Sequence, residues 1–375
     1  MAKNDNIPSI NIEDFVEIIK MQLMEDNYRP IFGLGKGGIG KSESIGELAI
    51  KELGIGYIDI RLLLYTETDL KGIPYPDSTH TSTVWLQNNI LPTVEKDGEK
   101  GILVLDEITS ANRSVRTAAY QLLNERKLGE YKLPDKWLIV CLGNGEDDGG
   151  DYQGMEGNFA NRCSVFNIVP NVESWKNWAF KNNINTLVVG YVSFKPNDLH
   201  SYNPEAENEI LFASPRSWKA VSDILNKHEF SADNKVLIAR IVANIGQKVG
   251  YNFIAYCKYK DDTVDPYRIV NGEIKPNISS REVLSITVQS VIKIVGDAIK
   301  SDISVSGSVT SDTVIKLSNT LKWILSLSTE YAVMGVKDLI RYDKESIRKL
   351  LLNPQLHNYC PELMQFVHNN KSVFI

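Results

Sequence analysis

The sequence offers little sulfur or imidazole chemistry. Its four cysteines, Cys141, Cys163, Cys257 and Cys360, are scattered without C-x-x-C spacing, which excludes a disulfide framework or a zinc knuckle as the organising device. The five histidines stand isolated, so no histidine-based metal site is indicated. No uninterrupted apolar run is long enough to span a bilayer. The opening MAKNDNIPSINIEDF also lacks the charged-then-apolar pattern of a secretory signal, so the expectation is a cytoplasmic protein with no membrane attachment. Positive charge is not in excess either. Forty-one Lys and Arg against 47 Asp and Glu leave a formal net charge of −6, which gives no general electrostatic reason to bind nucleic acid. Internal repeats and sizeable low-complexity tracts are missing as well.

What is present is the composition of an ordinary globular chain, 43% hydrophobic and 23% charged, with 375 residues to build two or three domains around a large core. One stretch organises the rest: GLGKGGIGKS, residues 33 to 42. Gly35, Gly40, Lys41 and Ser42 fit the G-x-x-x-x-G-K-[ST] phosphate loop, and the apolar RPIFGLG before it reads as the feeding strand. In such a loop the segment Gly35, Lys36, Gly37, Gly38, Ile39, Gly40 turns backbone N–H groups inward around phosphate oxygens. Lys41 then reaches the β/γ-phosphates and the Ser42 hydroxyl ligates magnesium. A helix beginning near Lys41 adds its positive dipole end.

Around the loop the chain alternates strand and helix signals. Asn11 caps a helix over IEDFVEIIKMQLM, and SESIGELAIKEL, residues 42 to 53, supplies the helix after the loop. GYIDIRLL is a second strand. The Gly-, Pro- and Thr-rich LLYTETDLKGIPYPDSTHTSTVW is an insertion beside a short helix. The run ILVL at 102 to 105 ends in Asp106 and Glu107. A phosphate-loop nucleotidase needs a carboxylate at the end of a neighbouring parallel strand to hold magnesium and a second to orient the attacking water, so Asp106 suits the first role and Glu107 the second. A helix over SVRTAAYQLL leads into a hairpin turning near Gly129. KWLIVCLGN is then a buried strand closed by Asn144, at the end of a parallel strand where ligands bind in open α/β sheets. Asn144 is therefore a candidate for orienting the water with Glu107, although an Asn there also caps turns. The acidic, glycine-rich loop 145 to 154 lacks the final Glu of a calcium loop and reads as solvated. A last strand covers Ser164 to Ile168. Helices follow over VESWKNWAF, Glu205 to Phe212, SPRSWKAVSDIL and NKVLIARIVANIG. Beyond Tyr251, EVLSITVQSVIKIVGDAI and VIKLSNTLKWILSL are helices joined by a loop over SDISVSGSVTSD, and DLIRYDKESIRKLLLNPQ ends another helical pair.

The succession GKGGIGKS, ILVLDE, LGN and NRC, followed by SPRSW, resembles the AAA+ ATPases, and specifically the MoxR-like group. The match covers about residues 30 to 225. TDLKG at 68 to 72, DEITSANRSVRTAAYQLL and GNGEDDGGDY look like that group's segments. The resemblance implies an α/β fold: an AAA+ phosphate-loop core with a parallel five-stranded sheet over residues 1–170, a helical lid over 171–250 and a C-terminal helical extension over 251–375. It places Lys41 and Ser42 in the first nucleotide motif, Asp106 and Glu107 in the second, and Asn144 in the sensor on the fourth strand. Arg162 falls where the group has an arginine finger acting on a neighbouring subunit's ATP, with Arg113, Arg116 and Arg126 as competing candidates. Arg216 matches the second sensor in the lid. Cys163 departs from the group, which usually has Phe after this Arg.

The expectation that follows is a magnesium-dependent ATPase forming a homo-oligomeric ring, a hexamer in the group. It would remodel or activate a protein partner, often one with a von Willebrand A-type domain. Two alternatives stand beside it. One is a nucleic-acid motor or restriction-type NTPase, with Lys127, Lys132 and Lys136 lining a basic pore. The other is a non-catalytic nucleotide switch or structural ring subunit.

Overall fold

The computed structural model describes residues 7–145, 161–203 and 210–370. The chain divides into two compact units, Met1–Asn171 with Tyr202–Glu207, and Val172–Ser201 with Asn208–Ile375.

The first unit is a parallel α/β sheet with helices on both faces. Its elements are β1 (Ser9–Ile10), α1 (Ile12–Met24), β2 (Ile31–Gly35), α2 (Lys41–Glu47), β3 (Gly56–Arg61) and α3 (Glu67–Lys71). A hairpin of β4 (Ile73–Pro76) and β5 (Thr83–Leu86) follows, then α4 (Val94–Asp97), β6 (Lys100–Asp106) and α5 (Arg113–Glu125). The short pair β7 (Lys127–Leu128) and β8 (Tyr131–Lys132) precedes β9 (Lys136–Gly143) and β10 (Ser164–Ile168). Six strands make the main sheet, in the order β1-β10-β2-β9-β6-β3, with every pairing parallel. The expected five-stranded sheet therefore has a sixth member. β1 is only two residues long, Ser9 opposite Asn167 and Ile10 opposite Ile168. Two residues carry no readable alternation, so the sequence pattern could not announce them.

Strands buried on both faces read as continuous apolar runs, and alternate residues of those runs serve different layers. On β6, Leu103 and Leu105 join one core with α5, while Ile102 and Val104 join another with α1 and α2. On β9, Ile139 and Cys141 face the first core, and Leu138, Val140 and Leu142 the second. Asn11 caps α1, its side chain accepting from the Asp14 N–H at 2.9 Å. The helix after the loop begins as expected but changes winding: Leu48–Leu53 is a π-helical turn closing on Gly54. The insertion holds the expected short helix, α3, and also the β4–β5 hairpin, whose Ile73, Tyr75, Val84 and Leu86 are exposed. Of the acidic loop, residues 146–154 lie outside the described residues.

The second unit is helical: α6 (Val172–Lys181), α7 (Thr186–Phe194), α8 (Pro215–Lys227), α9 (Lys235–Ile245), α10 (Gln247–Lys258) and α11 (Pro266–Val270) are followed by α12 (Arg281–Ser306), α13 (Ser311–Leu325), α14 (Thr329–Tyr342), α15 (Lys344–Leu351), α16 (Pro354–Tyr359) and α17 (Glu362–Asn369). One apolar core runs through it from Trp175 to Leu363. The expected loop over SDISVSGSVTSD is mostly helix. α12 continues through Ser306 and stops at Gly307, whose φ of 69° suits a left-handed helix end, and Thr310 caps α13. Of the helix expected over Glu205 to Phe212, residues 205–209 lie outside the described residues, and 210–212 are not helical. Among the described residues of this unit, charge is buried at one point. Lys176 and Asp338, 2% and 0% exposed, pair at 2.6 Å, and Asp338 also takes hydrogen bonds from Gln289 and Arg341.

Candidate active site

The strand feeding the loop ends at Gly35 because nothing larger fits. A Cβ there would lie 2.5 Å from the backbone oxygen of Ile168 on β10. Gly38 and Gly40 take φ of 77° and 89°, a region costly for residues with a Cβ, and Gly40 is the cap of α2. Ile39 tucks its side chain into the α1/α2 core and anchors the loop from beneath. At Gly37, by contrast, an added Cβ would meet nothing within 4 Å, so the crown of the loop is open.

Lys41 follows as the first residue of α2, 9% exposed. Its Nζ donates to the carbonyl of Gly35, to that of Lys36 at 3.0 Å, and to Oδ1 of Asn144 at 3.5 Å. The amine thus folds back across the loop between the ends of β2 and β9. The glycines and the amine take the arrangement that the phosphate-loop pattern leads one to expect.

Sheet order brings the remaining groups to it. β2, β9 and β6 are neighbours, with Leu34 opposite Gly143 and Leu105 opposite Cys141, so the loop, Asn144 and Asp106 leave the same edge of the sheet, the carboxyl ends of its strands. Asp106 is half-buried, and its Oδ1 accepts from the N–H of Glu107 at 2.8 Å. Glu107 has φ 57° and opens a short turn over Ile108–Ser110. A left-handed carboxylate residue is uncommon and is held here by that turn. Ser42 lies in the first turn of α2, where its carbonyl accepts from the Tyr57 hydroxyl at 3.0 Å.

Two neighbours on β3 have no motif of their own. Arg61 stands opposite Asp106, and Asp59 lies two residues before it on the same strand. Desolvation, and after it the Asp106 carboxylate, pushes the Asp59 carboxyl above its ordinary value although part of the side chain is exposed. Burial also raises the Tyr57 hydroxyl, with Asp59 and Asp106 adding to it, so that hydroxyl stays protonated and donates to Ser42. Thr109 is a further member that the motifs do not mark. Its Oγ1 accepts from the Asn144 N–H at 3.1 Å. The signal in each case is cross-strand neighbourhood, which a single sequence does not carry.

Within the first unit, Arg162 does not join this cluster. Arg162 is exposed just before β10, beside Ser164, which pairs with Ile31 at the start of β2. It therefore sits at the amino edge of the sheet, about 13 Å of strand from the edge that holds Lys41. Arg29 donates to the carbonyls of Asn161 at 3.0 Å and Cys163 at 3.5 Å, holding the backbone on both sides of Arg162. Burial lifts the Cys163 thiol to about 11. Arg216 belongs to the second unit, exposed in the first turn of α8, where Pro215 and the capping Ser214 start the helix. Among the competing arginines, Arg126 is committed to the carbonyls of Pro134, Asp135 and Trp137, and Arg116 is 8% exposed; Arg113 is open in the first turn of α5.

No protein family and no curated protein matches the sequence. Among solved structures, the chain is similar to a candidate ATPase from Cytophaga hutchinsonii, with 14% identity over 82% of this chain and 83% of that one and a TM-score of 0.32. It is also similar to NtrX from Brucella abortus in complex with ATP, with 13% identity, 84% and 69% coverage and a TM-score of 0.37. A third is the Thermotoga maritima RuvB Holliday junction branch migration motor, with 10% identity, 81% and 78% coverage and a TM-score of 0.30.

Among the described residues, no group of three or more His, Cys, Asp or Glu could hold a metal ion. The donors expected at the loop from the motifs are one hydroxyl, Ser42, and one strand-end carboxylate, Asp106. That set is too small for an all-protein cage but suits magnesium, which keeps several waters and completes its shell with phosphate oxygens. Among the described residues, no helix is long and apolar enough to cross a membrane.

Proposed function

We propose that the chain is a magnesium-dependent ATPase of the AAA+ class, MoxR-like, working as a homo-oligomeric ring in the cytoplasm to remodel or activate a protein partner. The observation that carries the proposal is the convergence of Lys41, Asn144 and Asp106 at the carboxyl ends of three adjacent parallel strands, with Nζ of Lys41 3.5 Å from Oδ1 of Asn144.

In this reading the loop from Gly35 to Ser42 wraps the phosphates with backbone N–H groups, and Lys41 swings from the Gly35 and Lys36 carbonyls towards the β/γ-phosphates. Ser42 and Asp106 hold magnesium, which when bound neutralises phosphate charge. Glu107 takes the proton of the attacking water, and Asn144 orients that water. Arg162 acts on the ATP of a neighbouring copy. Its place at the far edge of its own sheet supports a role in trans, because it is remote from its own loop. Residues 171–250 serve as a lid carrying Arg216, and 251–375 as an extension. A hexamer, and a von Willebrand A-type domain protein as partner, complete the proposal.

Nothing in the site favours the nucleic-acid reading. Of the three lysines on and after the β7–β8 hairpin, Lys132 pairs with Asp135 at 3.0 Å and Lys136 with Glu99 at 3.6 Å. The switch reading gains no support either, because each catalytic position is filled.

The test is ATP hydrolysis by the parent, Lys41→Ala, Glu107→Gln and Arg162→Ala. The parent should turn over ATP, Lys41→Ala should lose both binding and turnover, and Glu107→Gln should bind without turnover. Arg162→Ala should be inactive alone and regain activity when mixed with Lys41→Ala. Equal rates across the set would sink the assignment.

A further inference from the structure

The buried hydroxyl of Thr109 has no role in the nucleotide motifs, yet it joins two of them. Thr109 is 5% exposed and sits in the middle of the short turn Ile108–Ser110, which Glu107 opens at φ 57° and which the Ser110 N–H closes on the Glu107 carbonyl at 3.0 Å. From there Oγ1 accepts the backbone N–H of Asn144 at 3.1 Å. The approach is as close as the chain allows. A Cβ on Gly143 would lie 2.6 Å from Cγ2 of Thr109 and 2.8 Å from its Oγ1, so only glycine at 143 lets the turn press against the tip of β9. A β-branched side chain has a stiff χ1, which makes this link rigid.

We propose that Thr109 is a positioning residue: it fixes the strand tip that carries Asn144 against the turn that carries Glu107, and so sets the separation of the two groups that handle the attacking water. This rests on the reading of the site as an ATPase. The geometry has a direct consequence. Asn144 is held from its backbone by Thr109, and its side-chain oxygen faces Lys41. The hydroxyl touches neither phosphate nor water in this scheme. Its removal should therefore leave nucleotide affinity alone and slow the chemical step, since a small misplacement of oriented groups is costly to rate.

The experiment compares the parent with Thr109→Val, which keeps the shape and loses the acceptor, and Thr109→Ser, which keeps the acceptor and loses the methyl. Steady-state ATP hydrolysis gives kcat and KM, a fluorescent ATP analogue gives affinity in the absence of turnover, and thermal unfolding checks the fold. Thr109→Val should lower kcat about ten- to a hundredfold with unchanged affinity, and Thr109→Ser should restore most of the rate. In an Asn144→Ala background Thr109→Val should cost nothing further, because there is no amide left to position. A Thr109→Val protein at the parent rate overturns the proposal. So does one whose affinity, rate and unfolding midpoint fall together, or one equally slowed by Ser. A parent that neither binds nor hydrolyses ATP instead sinks the ATPase reading itself, and the two failures are told apart by that one control.

Discussion

Lys41 and Asn144 are 103 positions apart in sequence, yet Nζ of one lies 3.5 Å from Oδ1 of the other. The contact exists because β2 and β9 are sheet neighbours and both end at the same edge. The Gly35 and Lys36 carbonyls and the Asn144 amide are each neutral acceptors.

That neutrality gives the first prediction. Asn144→Asp would place a carboxylate beside Lys41 at the point where a neutral oxygen now stands, and a charge-assisted bond is roughly twice as strong as a neutral one. Lys41 should be drawn away from the phosphates and KM for ATP should rise. Asn144→Ala leaves Lys41 its two carbonyls but removes the group facing the water, so kcat should fall about a hundredfold with KM little changed. Steady-state kinetics on the two variants separates these effects. An Asn144→Asp protein with the parent KM would contradict the arrangement.

The strands around this contact are legible in the sequence, and the contact itself is not. ILVL and WLIVCL announce β6 and β9 because strands covered on both faces are apolar throughout, and Gly35 and Gly40 announce the loop because its backbone admits little else. β1 is silent because two residues have no pattern. The β4–β5 hairpin is hidden because its apolar residues, Ile73 at 64% exposure among them, face outward from a Pro-rich segment, which gives the pattern of a loop. The run SDISVS looks polar and loop-like, yet it extends a helix already nucleated by the buried stretch before it. Tyr57, Asp59 and Thr109 become site residues only through sheet order. Asp59 reaches Asp106 because β3 lies beside β6, a fact that no local spacing encodes.

Asp59 supplies the second prediction. Its folded-state pKa is raised above the ordinary 3.8, by desolvation first and Asp106 second. The folded protein therefore holds the proton more tightly than the unfolded chain. Whatever this group contributes to stability is fully present below the unfolded value and is lost as pH rises through the folded one, so at neutral pH the ionised Asp59 is a burden on the fold. Asp59→Asn should raise the unfolding midpoint at neutral pH. The gain should shrink as pH is lowered towards the ordinary carboxylate range, where the parent regains its proton. Midpoints measured across that range by circular dichroism give the check, and a gain that stays constant with pH would rule out titration of Asp59 as its source.

The last prediction concerns the helical unit. Asp338 on α14 is fully buried and meets Lys176 from α6 at 2.6 Å, Gln289 from α12 at 2.7 Å, and Arg341 one turn along its own helix. Three helices far apart in sequence are thereby tied to one carboxylate. Arg341 extends the network back to α6 through Glu173 and Asn177. Removing one member of such a group strands the others without water, and breaking a buried pair in this way costs about 3–5 kcal/mol. Asp338→Ala should therefore lower the urea midpoint sharply, because Lys176, 2% exposed, would be left buried with its carboxylate partner gone. Lys176→Met in the same protein should recover part of the loss, since the second change removes the stranded charge and leaves an apolar side chain of similar length in an apolar core. If the double variant were less stable than Asp338→Ala, the network would be acting through something other than charge compensation.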